Sequence, residues 1–224
     1  MTTANIAYSA NTAITFDISS LATSASFVAG RESTQIDNTS NLFVDALVNV
    51  DGITGHASTA PTVGQQISLF CWGADTSLAT TAIDVLDGTD SAETLGHVSV
   101  LNSLRLAGAA RVTVATAGLV YYIQPFSVAQ LFGGIMPKFW GLFLSHNHTG
   151  ALAASQSGLF SYNGITFTNM SIQAGVIAPP NTETATKLSS APASARPYER
   201  GTSRKAAAAR ASRLSRSKRP MSRM

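Results

Sequence analysis

The chain has 224 residues, 45% of them hydrophobic and only 12% charged, against about 25% charged in an average soluble domain. One cysteine excludes an intrachain disulfide framework, and an isoelectric point near 9.2 in so charge-poor a chain means that the cations are concentrated. Residues 1–174 hold four Lys/Arg against ten Asp/Glu, a net of −6, while residues 175–224 hold eleven against two, a net of +9.

The N-terminus, Met1-Thr2-Thr3-Ala4-Asn5, has neither the basic nor the apolar stretch of a secretory leader. Ala13 to Ile18 alternates apolar and polar residues at period two, which predicts a half-buried strand. Ser19 or Ser20 is placed to cap a short helix over Leu21 to Val28 that stops at Gly30. Strands are predicted at Leu42–Val50, Gln66–Trp72, Val98–Leu104, Arg111–Ala115, Leu119–Gln124 and Lys138–Leu144. Ser127 caps a second predicted helix, Val128 to Phe132, before Gly133-Gly134. The apolar run from Phe126 to Leu144 is broken by Gly133-Gly134 and Pro137-Lys138 and does not read as a membrane span. Gly158–Tyr162 and Ile165–Met170 flank Asn163-Gly164, the strongest short hairpin signal, because both residues tolerate positive φ. Some nine short strands with turns between them predict an all-β protein, a jelly-roll-like antiparallel β-sandwich with short connecting helices, over residues 1–174.

Beyond it, residues 175–199 have the Pro/Ser/Thr/Ala composition of a linker. Residues 200–224 form a basic C-terminal arm of Arg200, Arg204, Lys205, Arg210, Arg213, Arg216, Lys218, Arg219 and Arg223 without one acid. With Tyr198 as its single aromatic neighbour, the arm lacks stacking surfaces, so its chemistry is sequence-independent attraction to phosphate or carboxylate. Three outcomes stay open for it: a solvated tail, attachment to the acidic body of a neighbouring copy or another acidic protein, and contact with nucleic acid.

Candidate chemistry in the body is sparse. His146 and His148 stand at i and i+2, on one face of a strand, where two imidazoles can begin a metal site. No third ligand is evident, and Thr149-Gly150 marks a loop, so strand-end histidines are expected and no metal or cofactor is assigned. Asp84, Asp87, Asp90 and Glu93 form the densest acidic stretch. An EF-hand loop has acidic or amide ligands at positions 1, 3 and 5 and Gly at 6. Here Leu86 occupies position 3 and Gly88 position 5, so the stretch is read as a turn, with an acidic docking patch as the functional alternative. Cys71 lies in an apolar run, and no nucleophile elbow, Walker loop or dinucleotide fingerprint is present. His56 and His97 have only the Ser and Asp neighbours common in this chain, and no carboxylate pair suggests a glycan hydrolase. No enzymatic activity is expected.

Several strings together resemble small virion structural proteins of tailed bacteriophages. They are Ala29-Gly30-Arg31-Glu32-Ser33-Thr34, Asp37-Asn38-Thr39-Ser40-Asn41 with Val44-Asp45-Ala46-Leu47-Val48, and Val85-Leu86-Asp87-Gly88-Thr89-Asp90-Ser91-Ala92-Glu93. Leu104-Arg105-Leu106-Ala107 and Pro125-Phe126-Ser127-Val128-Ala129-Gln130-Leu131-Phe132-Gly133-Gly134 with Pro137-Lys138-Phe139-Trp140-Gly141 complete the set. The likeness spans residues 13–170 and excludes the basic arm. It implies a capsid decoration (cement) protein on the virion surface, assembled in the host cytoplasm, with the major capsid protein and further copies of itself, as a homotrimer, for partners. A head–tail connector or tail-associated protein, and a coat protein whose arm touches packaged nucleic acid, are the alternatives.

Overall fold

In the computed structural model of the chain, which describes residues 5–168, every strand ladder is antiparallel. The strands are β1 (Asn5–Tyr8), β2 (Thr12–Ala13), β3 (Ala29–Glu32), β4 (Ile36–Asp37), β5 (Asp45–Val50), β6 (Ile53–Thr54) and β7 (Gln66–Ala74). They continue with β8 (Ala92–Thr94), β9 (Arg105–Arg111), β10 (Val120–Tyr121), β11 (Phe126–Ser127), β12 (Phe139–His146) and β13 (Phe160–Thr168). One sheet has the order β1-β13-β5-β11, with β2 also on β13; the other has the order β8-β3-β12-β7-β9, with β4 also on β12. A ribbon of β6 and β10 stands apart from both.

The two sheets form a sandwich. Successive side chains of a strand point to opposite faces, and β5 accordingly buries Ala46, Val48 and Val50 while half-burying Asp45, Leu47 and Asn49. Ala46, Val48 and Val50, with Phe160 and Tyr162 of β13, meet Ile67, Leu69 and Cys71 of β7 and Trp140, Leu142 and Leu144 of β12 in one core. Trp140 of one sheet packs edge-on against Tyr162 of the other, with ring centroids 5.4 Å apart. The predicted all-β sandwich is thus the observed class.

Within that class, β5, β7, β12 and α1 (Val128–Leu131) lie where predicted, and Ser127 Oγ caps α1 by accepting the Gln130 N–H at 3.0 Å. Other elements differ. The stretch 13–18 buries Ile14, Phe16 and Ile18 as its alternation predicts, yet only Thr12–Ala13 joins a ladder. The Asp17 N–H turns instead to the Asp90 carboxylate at 3.2 Å. No helix forms over 21–28, because key backbone groups pair with distant chain: the Ser24 N–H donates to the His146 carbonyl at 2.7 Å, and the Leu21 carbonyl accepts the Leu152 N–H at 2.9 Å. Val98–Ser103 is a 3-10 helix rather than a strand, started by His97, whose Nδ1 accepts the Ser99 N–H at 3.1 Å. The strand predicted from Arg111 ends there, as β9, and that over 119–124 shrinks to the two residues of β10.

The largest correction concerns Asn163-Gly164. It is no hairpin turn: β13 runs straight through it, with Asn163 opposite Leu47 and Gly164 opposite Ala46. The glycine serves a close approach instead, since a Cβ there would lie 2.5 Å from the Phe43 ring. The predicted boundary at 174, the linker and the arm lie outside the described residues, as does the end of the last predicted strand.

Candidate functional site

β12 is buried along nearly its whole length, on both faces. Its inward side chains enter the core; its outward ones are covered by the chain between β7 and β9. Phe143 and Trp72 on the outer face pack with Leu78, Leu86, Leu95 and Leu104 in a second apolar cluster. Close approach is built in by glycine: a Cβ at Gly141 would come within 2.5 Å of the Trp72 ring, and one at Gly30 within 2.5 Å of Phe143.

Glu32 pins this cover. It lies opposite Phe143 in the ladder, is fully buried, and its two carboxyl oxygens accept the Asp87 and Gly88 N–H groups, each at 3.0 Å. Burial disfavours the charged carboxylate and raises its pKa to about 8, although both amide donors pull the other way. Nothing in the sequence distinguished Glu32 from a surface glutamate. Its role depends on a segment 55 residues away.

The acidic stretch, read as a turn with a docking patch as the functional alternative, is part of the same cover, and its carboxylates are engaged within the chain. Asp90 pairs with Arg31 at 2.7 Å. Asp84 accepts the Gly96 N–H at 2.6 Å, Asp87 accepts the Thr89 N–H at 3.0 Å, and Glu93 accepts the Ser91 hydroxyl at 2.6 Å. The four stand on one covering segment; Asp84, Asp87 and Glu93 bond within it, and Asp90 ties it to Arg31 and to the Asp17 N–H.

His146 and His148 are both buried at the end of β12. His146 donates from Nε2 to the Leu21 carbonyl at 2.9 Å and accepts the His148 N–H at Nδ1 at 3.2 Å, so both its ring nitrogens are engaged within the chain. The His148 ring packs edge-on against Tyr121 with centroids 4.8 Å apart; neither His148 ring nitrogen nor the Tyr121 hydroxyl meets a hydrogen-bond partner among the described residues. Burial pushes the His148 pKa down to about 4, helped by neighbouring His146, which burial also lowers. Among the described residues no third His, Cys, Asp or Glu joins them as a ligand. Cys71 is buried, and burial raises its thiol pKa well above the ordinary value. No helix among the described residues is long and apolar enough to cross a membrane.

One accessible region is apolar. Where β12 begins and β7 ends, Phe132, Ile135, Met136 and Pro137 line a groove of about 450 Å³ beside Gly73, Ala74, Asp75 and Lys138. Met136 and Lys138 also line a neighbouring hollow with Leu42 and Phe43. Ile135 is 74% exposed and Leu42 72%. On the other sheet, Ile6, Tyr8 and Phe167 are open to solvent. The nine arm cations, Arg200 to Arg223, lie outside the described residues. No family model, no curated protein and no solved structure matches this chain.

Proposed function

We propose that the chain is a non-enzymatic structural subunit of a tailed-phage particle, most specifically a capsid decoration (cement) protein that bridges neighbouring capsid subunits. The observation that carries an assembly role is the exposed apolar surface around Leu42, Ile135 and Met136 at one end of a charge-poor sandwich. Soluble monomers seldom leave such surface contiguous, and contacts between subunits use it. Few charged side chains have to be desolvated when such a surface is covered. The phage assignment rests on the sequence resemblance. The +9 segment against a −6 body supports an arm that tethers one subunit to the acidic surface of the next.

The test is quantitative mass spectrometry of particles made from the genome that encodes the chain. Hundreds of copies per particle are expected for decoration; a single ring's worth would reassign the chain to the head–tail connector, and its absence from particles would overturn a virion role. Deleting residues 198–224 separates the two arm chemistries. Fragile particles with normal genome content are expected of a protein-binding arm, and loss of genome retention of a nucleic-acid-binding one.

A further inference from the structure

We infer that the outer face of β1 and β13 is a two-fold contact through which the chain pairs with a second copy of itself. The last registered pair between β13 and β5 is Ile165 with Asp45. Beyond it, Thr166 and Phe167 pair with Ala7 and Ile6 of β1, so the two strands continue past β5 as a ribbon. In an antiparallel ladder, directly opposed residues share a face, as do residues two apart. Ile6 opposite Phe167, and Tyr8 opposite Ile165, therefore form a four-residue patch on the outer face. Ile6 is 60% exposed, Tyr8 65% and Phe167 59%.

The arrangement selects the occupant. The two aromatic rings stand on one diagonal of the patch and the two isoleucines on the other. A two-fold axis through the centre of the patch, lying in the interface along the strands, sets Phe167 on Ile6 of the second copy and Tyr8 on its Ile165. An axis across the strands sets Phe167 on the second copy's Ile165 and Tyr8 on its Ile6. In both cases every aromatic ring meets an aliphatic side chain, so the patch is its own complement, as an isologous interface requires.

Charge agrees. Two bodies of net −6 repel, but the remaining outward residues of this face include Leu47, Asn49, Ser161 and Asn163, all uncharged. Asp45 is its one acid among the described residues, and that carboxylate is held by the Ser127 hydroxyl at 2.7 Å and the Ala129 N–H at 2.9 Å. Four side chains supply roughly half of the ~800 Å² per partner of a standard interface. The pairing is therefore weak and concentration-dependent in solution, and becomes effective where copies are already held side by side. It goes beyond the particle assignment and concerns the isolated chain, so its failure would leave that assignment standing.

Sedimentation velocity on the full chain between about 1 and 300 µM tests it. The expected result is a monomer–dimer shift that persists in about 0.5 M NaCl, where charge attraction is screened within a few Å. The double variant Tyr8→Ser/Phe167→Ser, checked for folding by circular dichroism, is expected to stay monomeric to at least tenfold higher concentration. Phe167→Lys should pair when mixed with Ile6→Glu if the axis lies along the strands, or with Ile165→Glu if it lies across them, while no single variant pairs alone. A wild-type chain monomeric throughout, a double variant that still dimerises, or failure of both mixtures overturns the proposal. So does association that salt abolishes, which would assign it to the basic arm.

Discussion

The two sheets of this sandwich face the same problem on their outer sides and solve it differently. The outer side of β3, β7 and β12 is covered by the chain's own segment between β7 and β9, pinned through Glu32 and packed on Trp72 and Phe143. The outer side of β1 and β13 carries Ile6, Tyr8 and Phe167 exposed. A strand covered on both faces needs apolar residues at every position, which is why Phe139 to Leu144 reads as an unbroken apolar run. A strand with one open face needs them only at alternate positions, so apolar residues on the open side are not required by the fold itself.

The widest contrast comes from truncating one aromatic on each outer face. Trp72→Ala should cost about 3–5 kcal/mol in urea unfolding, whereas Phe167→Ala should stay within about 0.5 kcal/mol. Equal losses would mean that both faces are covered within the chain. Next in size, Glu32→Ala strands two buried amide donors and should cost about 1–3 kcal/mol. Gly164→Ala drives a methyl group into the Phe43 ring and should cost about 1–3 kcal/mol if β13 is continuous. An Asn-Gly hairpin would also lose stability, through the positive φ that alanine resists, so the reading that separates the two is hydrogen exchange at Gly164, whose N–H donates to Ser9 Oγ at 2.8 Å in the continuous strand.

Protonation acts gradually with pH, with opposite signs in the two buried sites. Folded Glu32 keeps a proton that the unfolded chain releases between pH 4.5 and about 8, so stability falls as pH rises through that window, by up to about 1.4 kcal/mol per unit. Glu32→Gln should flatten this limb. Folded His148 stays neutral down to about pH 4, while the unfolded chain takes up a proton near 6.5, so stability falls as pH drops below 6.5. His146, also held neutral by burial, acts in the same direction. Maximum stability near pH 6.5 is expected. His148→Phe should remove part of the acid limb, worth about 1–2 kcal/mol at pH 5, measured by thermal unfolding against pH.

Patterns confined to neighbouring residues were legible without coordinates. β-rich apolar runs placed β5, β7 and β12, and a serine before Val128 with two glycines after Phe132 bounded α1. The division of charge into an acidic body and a basic arm is likewise a property of the sequence itself. What escaped was decided between residues far apart in the chain. Asn163-Gly164 carries a turn signal, but Phe43 packs where its side chain would be, and β5 holds it in a ladder. Glu32 reads as a surface charge, and the Asp87–Gly88 backbone makes it a buried clamp. Leu21 to Val28 reads as a helix, and the β12 end and the Leu152 region take up its backbone groups instead. Local sequence determined which segments extend and which bend, because those preferences belong to neighbouring dihedral angles. Which outer face is covered and which is left open was decided by tertiary packing, because that depends on where a distant segment comes to rest.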